Sequence, residues 1–267
     1  MLSKVELRNA VLEYNEGNKK SRVLDGINLN IEEDEFVCII GPSGCGKSTL
    51  ISLIAGLKFP TQGDVLIDGE LVKGTGTDRG TVFQHYSLFP WLSAKNNVSF
   101  GIKQAKLCRN KKQIEERAIE FLQKVGLGEY ADKYPYQLSG GMQQRVAIAR
   151  TLAMDTDILL MDEPFGAIDP KNRIELQNLT VDLCKNSENR KAVIFVTHDI
   201  DEAIVMGDRI IFMEPKKIKR EFRVKFPDHL SKEEIIKTKE YEEIRKNLMS
   251  LFYEEVGNQI GGEEVVI

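Results

Sequence analysis

The segment Gly41-Pro42-Ser43-Gly44-Cys45-Gly46-Lys47-Ser48 constrains this chain more than any other stretch. It follows Phe36 to Ile40, a continuous apolar run suited to a strand covered on both faces, and leads into a helical pattern over Ser48 to Leu57. Strand, glycine-rich turn and helix in this order fit G-x-x-x-x-G-K-[ST]. The glycines let successive backbone N–H groups turn toward one anion, and the helix start adds its positive end. In such a loop Lys47 reaches the β- and γ-phosphates of a nucleotide and Ser48 ligates magnesium. The bland alternative is a glycine-rich turn with no ligand. At average glycine usage a full match arises by chance about once in a hundred chains of this length.

The rest of the chain supplies the sheet such a loop requires. Val5 to Ile31 is strand-like, with a turn-rich break at Asn15-Glu16-Gly17-Asn18, and reads as antiparallel sheet. Val65 to Ile67 followed by Asp68-Gly69 reads as a hairpin, and residues 74–80 as a loop. Residues 93–125 turn helical, with Ile114, Ala118, Phe121, Leu122 and Val125 on one face, and Met142 to Met154 forms a second helical pattern. Two buried-strand runs, Ile158 to Met161 and Ala192 to Val196, flank a helix over Lys171 to Cys184, which is the alternation of parallel α/β. Beyond Phe212 the chain is highly charged, and Lys232 to Tyr253 predicts one amphipathic terminal helix.

Three strands end in polar residues. Ile158 to Met161 runs into Asp162-Glu163, Thr81 to Phe83 into Gln84, and Ala192 to Thr197 into His198. Ligands of open parallel sheets sit at the carboxyl ends of strands, so these side chains are candidates to converge on whatever the loop holds. Asp162 suits an outer contact to magnesium, and Glu163 a general base or orienter of the attacking water. Asp-Glu after a strand is otherwise a helix cap, and a lone histidine is usually structural, as His85 and His229 are taken to be. Leu138-Ser139-Gly140-Gly141-Met142 is a second glycine-rich helix start, without a lysine. Ser139 serves there as an N-cap, or the turn is half of a phosphate site whose other ligands come from a second copy of the chain.

Composition removes other classes. Lys and Arg total 37 against 41 Asp and Glu, a formal charge of -4, with no basic excess to track nucleic acid. The apolar runs are far shorter than the roughly 20 residues that span a bilayer. The first residues show no export signal, so a cytoplasmic location is expected. Four cysteines, Cys38, Cys45, Cys108 and Cys184, lie far apart with no CxxC pair, as in a reducing compartment.

With these motifs in order, the chain resembles an ATP-binding cassette ATPase: the phosphate loop at 41–49, Gln84, LSGGM at 138–142, ILLMDE at 158–163, Ala167-Ile168-Asp169 and His198 fall in the family's order and at comparable spacing. Ile168 stands where the family more often has Leu. The resemblance covers roughly residues 1–215 and implies an α/β fold: a P-loop NTPase core with a parallel sheet, an N-terminal antiparallel β subdomain and an inserted helical subdomain at about 86–153. Residues 216–267 would form a charged helical tail. It implies a head-to-tail homodimer holding two Mg-ATP, each between residues 41–49 of one chain, including Gly41, Ser43, Gly44, Cys45, Gly46, Lys47, Ser48 and Thr49, and Ser139, Gly140 and Gly141 of the other. By the same likeness Tyr14 stacks on adenine, Ser48, Gln84 and Asp162 serve the Mg2+, Lys47, Gln84, Glu163 and His198 serve hydrolysis, and Asp169 links the two sites.

Thr77 to Gln84, then Leu88 to Leu92, then Asp162 to Ala167 resemble the importer group for nitrate, sulfonates and taurine. This implies permease subunits and, indirectly, a solute-binding protein as partners, with the chain peripheral on the inner face of the cell membrane. The tail is too short for the β-domain of sugar-importer ATPases. Between Tyr86 and Phe100, Leu88, Phe89, Trp91 and Leu92 form either core or a permease socket, and the resemblance favours the socket. An exporter ATPase would differ only in its membrane partner. A soluble cassette of DNA repair or translation usually carries two cassettes or a long insertion, whereas only residues 85–138 separate Gln84 from Ser139. A GTPase or small-molecule kinase would not explain LSGGM, and the chain lacks N-K-x-D for guanine.

Overall fold

In a computed structural model of the protein, residues 3–16, 19–84, 87–108, 110–185, 191–227 and 230–261 are described. The strands are β1 (Val5–Glu16), β2 (Lys19–Ile31), β3 (Phe36–Ile40), β4 (Gln62–Ile67), β5 (Glu70–Leu71), β6 (Arg79–Val82), β7 (Ile158–Asp162), β8 (Ala192–Val196), β9 (Arg209–Glu214) and β10 (Lys217–Arg223). The helices are α1 (Lys47–Ile54), α2 (Ala94–Ala105), α3 (Lys111–Lys124), α4 (Gly140–Ala153), α5 (Pro170–Lys185), α6 (Ile200–Met206), α7 (Lys232–Ile235) and α8 (Lys239–Gly261). The chain forms two compact units, residues 1–73 with 196–267, and residues 74–195.

In the first unit, β2-β1-β4-β5 make the expected antiparallel sheet. Val5 lies opposite Ile31 and Ile67, and Leu7 opposite Leu29 and Val65, all buried, so the period-two pattern places one apolar face inward. Asp68 and Gly69 both take positive φ, 50° and 78°, as a two-residue hairpin turn demands. β3 pairs in parallel with β9, and β9 antiparallel with β10. All five residues of β3 are buried, which is why its sequence shows no alternation.

Helix α1 ends at Ile54, short of the expected Leu57. Gly56 (φ 72°) breaks it: its N–H donates to Leu53 O (3.1 Å) and the Leu57 N–H to Ser52 O (3.0 Å), a Schellman stop. The single terminal helix expected over Lys232 to Tyr253 is two helices. Ser231 and Glu234 form a capping box on α7, and Thr238 Oγ1 accepts the Tyr241 N–H (3.2 Å) to start α8 anew. The charged stretch before them contains β10, none of whose residues is fully buried, so its pairing with β9 rather than its pattern makes it a strand.

In the second unit the strand order is β8-β7-β6, with β6 parallel to β7 and Thr81 opposite Leu160. Helices α2, α3 and α4 bury Val98 and Ile102, then Ile114, Ala118, Phe121 and Leu122, then Val146, Ala149 and Leu152. A Cβ on Gly101 would lie 2.9 Å from Arg150 Cγ, so glycine lets α2 approach α4 closely. Helix α4 starts at Gly140, placing the paired glycines inside its first turn rather than before it.

Candidate nucleotide-binding site

The loop between β3 and α1 needs its glycines. Gly41 has φ 153°, and a Cβ there would sit 2.2 Å from the Met213 carbonyl of β9; Gly46 has φ 114° and would meet Leu24 Cδ2 at 2.8 Å. Lys47 is buried, and its Nζ donates to Gly41 O (2.8 Å) and Pro42 O (2.9 Å), so the ammonium is folded into the loop it follows. Ser43, Gly44 and Ser48 are exposed, and Thr49 is half-buried. Cys45 is buried with its Sγ 3.9 Å from Lys47 Nζ, and burial pushes its thiol up from the ordinary value. Its carbonyl accepts the Lys216 N–H (3.2 Å), pinning the loop to the β9–β10 turn.

In the same unit Tyr14, half-buried on β1, receives a hydrogen bond on its hydroxyl from Lys58, whose Nζ lies 4.5 Å from the ring centroid. His198 is exposed, directly after the buried Thr197. Lys58 was not among the expected residues; nothing in its local pattern marks a charged residue beyond a helix end as the partner of a tyrosine 44 positions earlier.

In the second unit β6 and β7 run in parallel, so the residues after them emerge at one edge. Gln84 Nε2 donates to Glu163 Oε2 at 3.1 Å, which brings two expected site residues together. Glu163 has φ 47°, a left-handed conformation uncommon for a residue with a side chain, and Asp162 ends β7 buried. Ser139 caps α4, its Oγ accepting the Met142 N–H (3.3 Å). A Cβ on Gly141 would lie 3.1 Å from Ala167 O. Exposed Asp169 accepts from the side chain (2.7 Å) and backbone (3.2 Å) of Asn172, and the side-chain bond leads in holding its carboxyl below the usual range.

Two further contacts bind α4 to the strand that precedes Gln84: Gln144 Nε2 to Phe83 O (3.4 Å) and Thr151 Oγ1 to Thr81 O (3.3 Å). Arg150 donates to Ser87 O (2.9 Å) beside the aromatic cluster. Within that cluster Phe89 packs on Trp91 (5.6 Å between centroids) and Phe100 (4.7 Å), and fully buried Asn97 holds the Phe89 backbone from both sides, yet Trp91 is 70% exposed. Trp91 is therefore no core residue within its own unit. His85, Tyr86 and His229 lie outside the described residues.

The family model for ABC transporters matches residues 24–166. The uncharacterized ABC transporter ATP-binding protein MJ0412 of Methanocaldococcus jannaschii is 46% identical over 255 residues, 95% of this chain and 92% of its own. The nitrate import ATP-binding protein NrtD of Synechocystis sp. is 42% identical over 243 residues, 90% of this chain and 89% of its own. The dimeric structure of the ATP-binding cassette MJ0796 in a post-hydrolysis state, bound to ADP and Pi, is similar at a TM-score of 0.76 and 38% identity, over 84% of this chain and 100% of that one. With its glycine-rich loop at 41–48, its LSGGM helix start and its Asp162-Glu163 strand end inside the matched span, the chain belongs to the ABC transporter family, as one of its ATP-hydrolysing cassettes.

Proposed function

We propose that the chain binds Mg-ATP as a head-to-tail homodimer and hydrolyses it to drive import of a small solute of the nitrate, sulfonate and taurine class through separate permease subunits, which a solute-binding protein supplies. The likeness to a nitrate import protein supports the import direction. The exposed Trp91 and Phe100, with half-buried Phe89 against both, offer an aromatic surface for a permease helix in the helical segment 86–153, and would place the chain on the inner face of the membrane. Among the described residues no helix is long and apolar enough to cross a membrane.

One observation supports the reading: the chain has two glycine-rich helix starts, one with a lysine folded into it and one with none. Lys47 would neutralise the β- and γ-phosphates of one ATP, and the Ser139-Gly140-Gly141 turn of the other copy would close on that γ-phosphate. Tyr14 would stack on adenine. The exposed Ser48 hydroxyl and the Asp162 carboxylate are hard oxygen donors, few in number, as suits magnesium that keeps most of its shell for phosphate and water, with Gln84 adding an amide oxygen. When bound, the ion offsets charge on the phosphates. Glu163, its carboxylate fixed by Gln84, would orient the attacking water and take its proton; His198 would contact the γ-phosphate, and Asp169 would link the two sites across the dimer.

Mixing two inactive proteins tests the composite site. Lys47→Ala damages the loop half and Gly140→Asp the signature half, so each alone should be inactive. In a mixed dimer both lesions can fall in one site and leave the other intact, so mixing should restore hydrolysis. A Gly140→Asp protein that is fully active by itself refutes the reading.

A further inference from the structure

The C-terminal helix α8 reaches the His198 segment through one carboxylate. Asp201, in the first turn of α6, accepts at Oδ1 both the hydroxyl of Tyr241 (2.7 Å) and the Nε–H of Arg245 (2.7 Å). The backbone N–H of Asp201 donates to Asp199 Oδ1 (3.0 Å), which also accepts the Glu202 N–H (3.1 Å). The Asp199 N–H donates to Thr197 Oγ1 (3.0 Å), and the Thr197 hydroxyl donates to Glu202 Oε2 (2.5 Å). His198 is thus the single residue between two whose side chains are both bonded into the first turn of α6, and α8 grips that turn.

Helix α8 is a firm support. Leu248 is fully buried, Phe252 packs edge-on against Phe212 of β9 (5.0 Å), and Glu255 accepts from Lys219 of β10 (2.6 Å). Tyr241 is itself only 7% exposed. Burial first, and the bond to Asp201 second, push its hydroxyl up to about 12, so it stays a proton donor wherever the enzyme is assayed. The Arg245 guanidinium pairs with the Asp201 carboxylate at 2.7 Å and so offsets a negative charge in the first turn of α6.

We propose that Tyr241 and Arg245 are positioning residues for His198: through Asp201, the α6 cap and Thr197 they fix the backbone from which the imidazole is presented. The inference rests on the reading that His198 contacts the γ-phosphate, and it gives the C-terminal tail a part in turnover. A hydrogen bond to a charged group is strong enough that losing a share of it at the chemical step changes a rate several-fold.

The test uses the full-length protein and measures kcat, ATP affinity and thermal midpoint. Tyr241→Phe and Arg245→Met should each lower kcat by about 3- to 10-fold and leave ATP affinity within about 2-fold, while Arg245→Lys, which keeps a donor, recovers most of the rate. In a His198→Ala background, where residual turnover is followed with radiolabelled ATP, Tyr241→Phe should cause no further loss, because its effect passes through the imidazole. A purely structural latch would lower the thermal midpoint without this dependence on His198. An undiminished kcat in both variants beside an inactive His198→Ala sinks the latch alone, as does a Tyr241→Phe loss that persists in full without the imidazole. Wild-type turnover by His198→Ala removes the reading on which the inference stands. Should Tyr241→Phe not fold, the half-exposed Arg245→Met decides in its place.

Discussion

Two glycines with the same backbone provide a controlled test of the phosphate loop. Gly44 in the loop and Gly69 in the β4–β5 turn both have φ 78°, and a Cβ at either meets nothing within 4 Å. Alanine therefore costs the fold the same at both places, the left-handed strain of about 1–2 kcal/mol, with no clash added. For a chain of this size that lowers the thermal midpoint by roughly 2–8 °C in each variant. Only Gly44 is proposed to lie against phosphate, where a methyl group holds the anion off the backbone N–H groups. A hydrogen bond to a charged group is worth about 1.5–3 kcal/mol, so its loss weakens ATP binding by roughly 10- to 150-fold. Melting curves and a nucleotide titration of Gly44→Ala and Gly69→Ala should show matched midpoints and an ATP deficit in Gly44→Ala alone. Equal ATP affinities in the two variants would refute the assignment of the loop, and midpoints far apart would refute the strain argument.

Glu163→Gln keeps a group that can face Gln84 but cannot take a proton, so turnover should fall by about 10²- to 10³-fold while ATP still binds; wild-type turnover excludes Glu163 from the chemistry. Trp91→Ala removes an exposed ring, so stability should change by about 0.5 kcal/mol or less and basal hydrolysis should persist while transport is lost; full transport removes the docking role. At about pH 8 a maleimide should label Cys108 quickly and spare Cys38, Cys45 and Cys184, which are buried. Burial pushes the Cys184 thiol up to about 12, so raising the pH toward 10 should not bring it into rapid reaction, and burial raises Cys45 as well; fast labelling of more than one thiol in the folded protein at about pH 8 contradicts the packing.

What could be read from the sequence shares a physical character. The glycines at 41, 44 and 46 were legible as a turn because backbone that takes positive φ, or that lies where a Cβ would come within 2.2 Å of the Met213 carbonyl as at Gly41, admits no side chain. Gln84 and Glu163 were legible because parallel strands deliver their ends to one edge. The tail was misread where tertiary contacts decide. Its apolar spacing is continuous, but the helix is interrupted by a threonine cap at Thr238, and the strand before it pairs by register while showing no buried stripe. Lys58 at Tyr14 and Tyr241 at Asp201 join positions 44 and 40 residues apart. No local rule names such partners, because each is set by where two elements come to rest.

Ser139 shows why a structural and a functional meaning for one residue need not compete. A helix start leaves its first N–H groups without intrahelical acceptors. Ser139 Oγ takes the one on Met142, the Gln143 N–H already makes the first helical bond to Ser139 O, and those of Gly140 and Gly141 lie in the part of the turn that helix geometry leaves open. The serine thus aims the helix, and the glycines clear the approach to it, close enough to Ala167 O that a Cβ on Gly141 would crowd it. Such a start carries only the half charge of a helix end, worth about 0.3–1 kcal/mol toward an anion near water, too little to hold a triphosphate. The loop at 41–48 has the lysine that can neutralise one. A turn that weak gains from closing on phosphate only after a stronger site has bound it, and in the proposed homodimer that order would make ATP the adhesive between two copies of the chain rather than a ligand of one.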